Sequence, residues 1–364
     1  MLNIQVAIIG PGLVGKAFLA QLAELQKRTT LSLRLVAVAS TKLMALSSDI
    51  DPHKFMKQMT TPFNINEMIT HLESFSIVES SATILIDATS SQEIAEMYPS
   101  FLSKSRLHII TPNKKPFSLH QNLFDDILAQ SRKASRFVLH ESSVGAGLPV
   151  LSTLSDMCLN GDEFISIEGV LSGTFSFIFN HFSSPALQPK PKTFSHIVGE
   201  AQKLGYTEPD PRDDLNGMDV ARKVVILARC TGVEIELADL KIQNLIPETF
   251  VSDLKDFIPN LANLDSHFES LNSKAKEIGS VLRYVGGYDF VSKKAYSKLE
   301  NFAMDHPFAS LKGSDNMICI YSRLFPNGIV IQGSGAGAEV TAHGMMCDLL
   351  RICKSLAGGP LFNK

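Results

Sequence analysis

The stretch Leu204–Cys230 of the 364-residue chain, LGYTEPDPRDDLNGMDVARKVVILARC, concentrates side chains that can do chemistry. Pro209 and Pro211 fix φ and remove backbone donors from a loop that carries Glu208, Asp210, Asp213 and Asp214. Asn216 reads as the N-cap of a following helix, on which Asp219 and Lys223 stand four residues apart and share a face. A carboxylate that orients an ammonium group is equipped for general acid–base work. On a helical wheel Val220, Ala221, Val224, Val225, Leu227 and Ala228 cover nearly half the circumference. Asp219, Arg222, Lys223 and Arg229 share the other side, interrupted by Ile226 and Cys230. So wide an apolar face predicts a mostly buried helix, and burial pushes a lysine pKa down toward useful proton transfer. From the helix alone, an exposed ion pair worth ~0.3–0.5 kcal/mol is an equal alternative. A divalent-metal reading of the acidic loop fails on spacing: the EF-hand glycine and glutamate are missing, and two prolines stiffen the turn. An acid cluster beside a lysine suits a substrate that carries an ammonium group.

The elements that must position these groups read as an α/β chain. Ile4–Ile9 is an apolar, β-branched strand, followed by Gly10, Gly12 and Gly15 in GPGLVG, a helix over Lys16–Lys27 and a second strand over Leu31–Ala39. Strand, GxGxxG, helix and strand within about 40 residues is the dinucleotide-binding context, with backbone N–H groups and a helix N-terminus facing a pyrophosphate. Leu13 and Val14 lie inside that loop. The second strand ends Ala39-Ser40-Thr41-Lys42 without the acid that usually holds NAD ribose hydroxyls, so NADP is permitted alongside NAD. Thr41–Ser81 reads as irregular, with a helix over Asn66–Ser74. Further strands fall at Thr83–Ala88, Leu107–Ile110 and Arg136–His140, and helices at Glu93–Lys104 and Leu119–Lys133. Thr89, Ser90 and the Lys114–Lys115 pair follow strand ends, where open α/β sheets bind ligands.

Past the ESSVGAGLPV exit loop, the sequence predicts helices over Leu151–Leu159, Phe175–Phe182 and Thr193–Leu204, and a strand over Glu163–Leu171. Ser183–Lys192 reads as a surface loop and Ile246–Lys274 as mostly helical. Strands follow at Glu277–Gly287, Ala295–Met304, Met317–Phe325 and Ile329–Gln332, then GSGAG and a last helix, Ala338–Leu356. The pattern predicts a Rossmann-type doubly wound parallel sheet over residues 1–147, completed by 338–364. A second α+β catalytic and dimerisation domain takes 148–337.

A net charge of −3 without a Lys/Arg block argues against nucleic acid, and no apolar run reaches the roughly 18–20 residues that cross a bilayer. Cys158, Cys230, Cys319, Cys347 and Cys353 lie scattered without metal-ligand spacing, as in a reducing, cytoplasmic compartment. The first ten residues already read as a strand, which leaves no room for a signal or transit peptide.

GYTEPDPRDDLNGMDVARKVVILAR, TPNKK, VGAGLP and QGSGAG together resemble the homoserine dehydrogenases, most closely the monofunctional, fungal-like branch, over essentially the whole chain. The resemblance implies reversible NAD(P)-dependent interconversion of L-homoserine and L-aspartate 4-semialdehyde, a step toward threonine, isoleucine and methionine. Hydride transfer would take place at a mouth between the domains of a homodimer. It implies that Lys223 and Asp219 are catalytic, that Glu208 binds the substrate amine, and that Gly173, Thr174, Tyr206 and Asp214 line the same pocket. Cofactor contacts carry over to the first glycine loop, Thr89, Ser90, Lys115 and Gly337. A monovalent cation, typically sodium, carries over to Glu141, Val144, Ala146 and Leu148, although Ser142-Ser143 stands where the family has Ala-Thr. Neither an aspartokinase segment nor a regulatory extension is expected. The rival readings are a reductase for another small amino-acid aldehyde and a catalytically silent NADP sensor.

Overall fold

A computed structural model describes residues 3–29, 31–75, 81–186, 191–247, 249–250 and 253–357. Part of the 183–192 loop and the end of the chain, 358–364, lie outside them. Two compact units are present, Met1–Pro149 with Gly337–Lys364 and Val150–Ala336.

The first unit is built on seven strands, β1 (Asn3–Ile9), β2 (Ser32–Ala39), β3 (Leu43–Leu46), β4 (Thr61–Pro62), β5 (Ser81–Asp87), β6 (His108–Ile110) and β7 (Val138–Leu139). Their order in the sheet is β4-β3-β2-β1-β5-β6-β7, with parallel pairing from β2 to β7. From β1 the chain runs first to the β2 side and later to the β5 side, which makes the carboxyl ends of β1 and β5 a topological switch point. Near-continuous apolar runs such as Val6-Ala7-Ile8-Ile9 suit strands covered on both faces. The helix Leu13–Arg28 and the last helix, Ala338–Ala357, pack on each other, and Phe18, Leu22, Met345, Leu349 and Ile352 share one core with β1, β2 and β5. The whole is a Rossmann-type nucleotide-binding unit.

The second unit has a mostly antiparallel sheet of β8 (Phe164–Val170), β9 (Lys241–Ile242), β10 (Ser280–Asp289), β11 (Lys294–Ala303), β12 (Asp315–Ser322) and β13 (Ile329–Ser334), ordered β13-β12-β8-β10-β11-β9. Helices Gly173–Phe182 and Met218–Cys230 lie on one face, where Phe175 stacks on Tyr284 at 3.9 Å and a Cβ on Gly286 would press against Val220 and Val224.

Several elements differ from the sequence expectation, each for a local reason. The segment 41–81 contains two short antiparallel strands at the sheet edge, β3 and β4, and the β2–β3 turn is set by the Ser40 hydroxyl bonding across it to Leu43. Glu93–Lys104 breaks into Gln92–Glu96 and Tyr98–Ser103, because Pro99 begins a new helix rather than continuing the old one. Residues 246–274 are helical over Phe257–Leu261 and in the Asp265–Glu277 helix, with one 3-10 turn before the first and another between them. The acidic loop includes a one-turn helix, Pro211–Leu215, capped by Asp210. Asn216 is not the N-cap of the central helix. Gly217 is, at φ 75°, and Asn216 Oδ1 accepts the Met218 N–H beside it.

Candidate active site

The central helix is as buried as its wheel predicts, from Val220 through Arg229 apart from Arg222. Lys223 is 7% exposed. Its Nζ lies 2.8 Å from Asp219 Oδ2 and donates to the Leu171 carbonyl at 2.6 Å. The Asp219 side chain is 45% exposed, so this is a half-open pair: a dry ammonium group held by a carboxylate that still meets solvent. Arg229, on the same polar arc, is instead buried and spoken for by the Ile235 carbonyl and Glu236.

Ser172 caps the helix that begins at Gly173, its hydroxyl accepting the Phe175 N–H. Thr174 Oγ lies 2.5 Å from the Tyr206 carbonyl and 2.9 Å from Asp214 Oδ1. Asp214 Oδ2 accepts the Glu208 N–H at 2.8 Å. The hydroxyl has one proton for two acceptors. Burial raises the Asp214 pKa, as do the charges of Glu208 and Asp219, against the hydrogen bonds that hold its ionised form. Thus Gly173, Thr174, Tyr206, Glu208 and Asp214 meet in one cluster, with Glu208 and Tyr206 exposed at its rim. The Tyr206 ring stacks on Phe177 at 4.7 Å. An exposed carboxylate and a half-buried acid can grip the ammonium end of an amino acid, and the helix start beside them suits its carboxylate end.

In the first unit, Gly10 has φ 90°, and a Cβ there would press on Thr89 Cγ2 and Ala88. Gly15 sits directly on the Gly10 carbonyl, whereas a Cβ on Gly12 would meet open space. The second glycine therefore has no packing reason and suits close approach of a ligand. Leu13 and Val14 open the helix. Ser40 is engaged in the β2–β3 turn, with Thr41 exposed beside it. Ser90 stands beyond Thr89 in the turn after β5, and Gly337, at φ 109°, precedes the last helix.

Sequence reasoning missed the hub of the switch point, Asp87. It is fully buried at the end of β5, and its Oδ1 accepts both the amide and the hydroxyl of Thr89. Its Oδ2 accepts the Tyr98 hydroxyl at 2.6 Å and Asn113 Nδ2 at 3.4 Å, while Asn113 Oδ1 accepts the Lys115 N–H. One carboxylate thus sets both Thr89 and Lys115. An acid closing an apolar strand is the signal that could have found it.

The loop 141–148 is held by the last helix. Glu141 is 3% exposed, with Oε2 2.6 Å from Arg351, and its N–H donates to Asp348 Oδ2. Asp348 is equally buried and also meets Arg351; burial pushes its pKa up to about 7. Two buried carboxylates share this guanidinium. Left-handed conformations at Gly145 and Ala146 turn the loop, Val144 and Ala146 are buried, and the Leu148 N–H closes it on the Gly145 carbonyl.

Among the described residues no group of three or more His, Cys, Asp or Glu side chains could hold a metal ion. In the described residues, too, no helix is long and apolar enough to cross a membrane.

A family model described as homoserine dehydrogenase matches residues 149–350, and one described as its NAD-binding domain matches residues 10–141. The chain is 41% identical over 360 residues to the homoserine dehydrogenase of Schizosaccharomyces pombe, covering 96% of this chain and 95% of the relative. Its fold matches the crystal structure of a Candida auris protein of unknown function with a TM-score of 0.91 at 39% identity, covering 98% and 99% of the two chains. A hyperthermophilic archaeal homoserine dehydrogenase in complex with NADPH shares the fold alone, with a TM-score of 0.73 at 22% identity over the full length of both. The chain belongs to the homoserine dehydrogenases, NAD(P)-dependent oxidoreductases that act on a CH–OH group.

Proposed function

We propose that Lys223 and Asp219 carry the proton transfer of this enzyme, and that the Glu208 cluster holds its amino-acid substrate. Lys223 donates a proton to the carbonyl oxygen of L-aspartate 4-semialdehyde during reduction and takes it back from the homoserine hydroxyl during oxidation. Asp219 and the Leu171 carbonyl hold Nζ in one direction, so the proton leaves along a defined line. Glu208 meets the substrate amine, and Asp214, Thr174, Gly173 and the Tyr206 backbone fix the geometry around it. The single observation that carries this reading is a lysine buried on an apolar helix with a half-exposed carboxylate beside it.

The bound dinucleotide supplies the hydride at its nicotinamide C4. Gly10, Gly12, Leu13, Val14 and Gly15 would hold its phosphates, Thr89, Ser90, Lys115 and Gly337 its nicotinamide end, and Ser40 and Thr41 its adenosine ribose. Hydroxyls without an acid at the end of β2 support NADP over NAD. Glu141 and the carbonyl groups of Val144, Ala146 and Leu148 would hold a sodium ion, which organises the loop rather than taking part in the chemistry.

The working form is a cytoplasmic homodimer; free cysteines support the reducing compartment. On the sheet face away from the helices, a row of cross-strand neighbours reads Val330, Cys319, Glu168, Gly287 and Tyr296, with Val330 46% exposed. That row supports pairing with a second copy, which sedimentation would register as twice the 39.8 kDa chain mass. The deciding assay follows NADPH oxidation with L-aspartate 4-semialdehyde, with and without sodium. Turnover that requires the semialdehyde is expected, and NADPH binding without turnover would refute the catalytic roles.

A further inference from the structure

One polar group in the second unit has no work in the geometry described so far. Asn316, the second residue of β12, is fully buried, and neither its Oδ1 nor its Nδ2 has a hydrogen-bond partner. An unpaired buried carboxamide is costly, while an apolar side chain of the same shape at such a place is close to neutral. Position 316 therefore holds a polar group that the free protein would be better without.

Its surroundings are those of the substrate cluster. Asn316 pairs across the ladder with Gly333, and Gly335 in the following turn lies so close that a Cβ would overlap the Asn316 carboxamide. Ala336 continues that turn onto Gly173, whose added Cβ would stand 3.8 Å from Ala336 Cβ and 3.4 Å from the Ser314 carbonyl. Ser176, one turn into the same helix, donates to the Asp315 carbonyl at 2.6 Å and ties the start of β12 to it. On the neighbouring strand β8, Val170 opposes Met317, and the next residue, Leu171, supplies the carbonyl that receives Lys223 Nζ. The carboxamide thus lies under a turn that touches the Gly173–Thr174 helix start, with the catalytic lysine's anchor beside it.

We propose that Asn316 is a positioning residue for the Gly335–Ala336 turn that follows β13. Its carboxamide takes up hydrogen bonds with the backbone of that turn when an amino-acid substrate seats against Gly173 and Thr174. Gly335 makes this possible: with no Cβ, the peptide can slide across the amide and rotate its N–H or C=O toward it. The turn then has two positions. The substrate-bound one is stabilised by pairing that the free one lacks, so the glycine turn closes in response to the small substrate. This inference rests on the reading of the second unit as the homoserine-binding half.

The test begins with wild-type turnover of L-homoserine with NADP. If there is none, the functional reading fails and not this inference alone. With turnover established, Asn316→Leu is compared with wild type. Expected are an unchanged or raised Tm of the free protein, a KM for homoserine raised about tenfold, the size of one hydrogen bond to the turn, and kcat and cofactor KM within about threefold. In wild type, hydrogen exchange of the Gly335 and Ala336 amides should slow on addition of homoserine with NADP, and the leucine variant should lose that protection. An ordered water that merely satisfies Asn316 predicts the opposite: a lower Tm, an unchanged KM and no substrate-dependent protection. An unchanged KM, or protection that persists in the leucine variant, overturns the proposal. If the variant does not fold, wild-type exchange decides alone: protection supports the moving turn, and its absence overturns it.

Discussion

Lys223 owes its character to its burial and to two neighbours that arrive from different parts of the chain, Asp219 from its own helix and Leu171 from just past the end of β8. Lys223→Ala should lower turnover by at least ~10² and leave the NADPH dissociation constant unchanged in a fluorescence titration. Asp214 serves two donors with two oxygens. In Asp214→Asn one of those oxygens becomes an amide that cannot accept. The Thr174–Glu208 geometry then loosens, and KM for homoserine should rise by about tenfold or more with a smaller change in kcat. At this level the sequence was legible where chemistry follows spacing. Asp219 and Lys223 announce themselves by helical periodicity. The grouping of Thr174 with Asp214 does not, because 40 residues separate them and only the fold brings them together. Asp87 and Asn316 were illegible for another reason: each is an ordinary polar residue in a strand, and only burial against named partners, or against none, gives it meaning.

The central helix begins on a left-handed residue that nothing but glycine tolerates. Gly217 lies at φ 75° directly beneath the Tyr284 hydroxyl, which itself donates to the Gln243 carbonyl. Gly217→Ala should therefore cost about 2–4 kcal/mol in urea denaturation, from backbone strain and overlap together. Activity should fall as well, because the start of the helix that carries Asp219 must shift. The sheet of the first unit contains an acid-sensitive joint. His108 is buried on β6, Nδ1 accepts the Phe137 N–H, and burial, with Arg136 adding to it, lowers its pKa to about 4. The unfolded chain takes up this proton near pH 6.5 and the folded one only near 4. This contribution to stability is thus full above about 6.5 and lost as pH falls toward 4, about 2 kcal/mol of it by pH 5. Urea midpoints at pH 7 and pH 5 should differ less in His108→Gln, whose amide oxygen can still accept from Phe137. Long strands and helices with strong periodicity were readable in advance. The short strands β3 and β4 were not, since runs of two to four residues carry too little pattern, and neither was the break at Pro99, which needed a choice between kink and restart.

The first unit is discontinuous, with the last helix returning to a layer laid down at the start of the chain. The sequence already returned this helix to the first domain, but not which of its apolar positions cover β1, β2 and β5, because no local signal pairs residues some 300 apart. Leu349→Ala should cost about 2–5 kcal/mol in thermal unfolding of that unit, since Leu349 is fully buried in the core shared with β1, β2 and β5. The arrangement also bears on the life of the nascent chain. Residues 150–336 need roughly 10–40 s of translation at ribosomal rates, and the whole second unit emerges before Met345, Leu349 and Ile352 do. Throughout that interval the apolar side of the nucleotide-binding sheet that these residues will cover lies open to chaperones and to neighbouring polypeptides. The inserted unit can meanwhile fold from its own contiguous residues, so the catalytic half is complete before the half that carries the nucleotide-binding sheet.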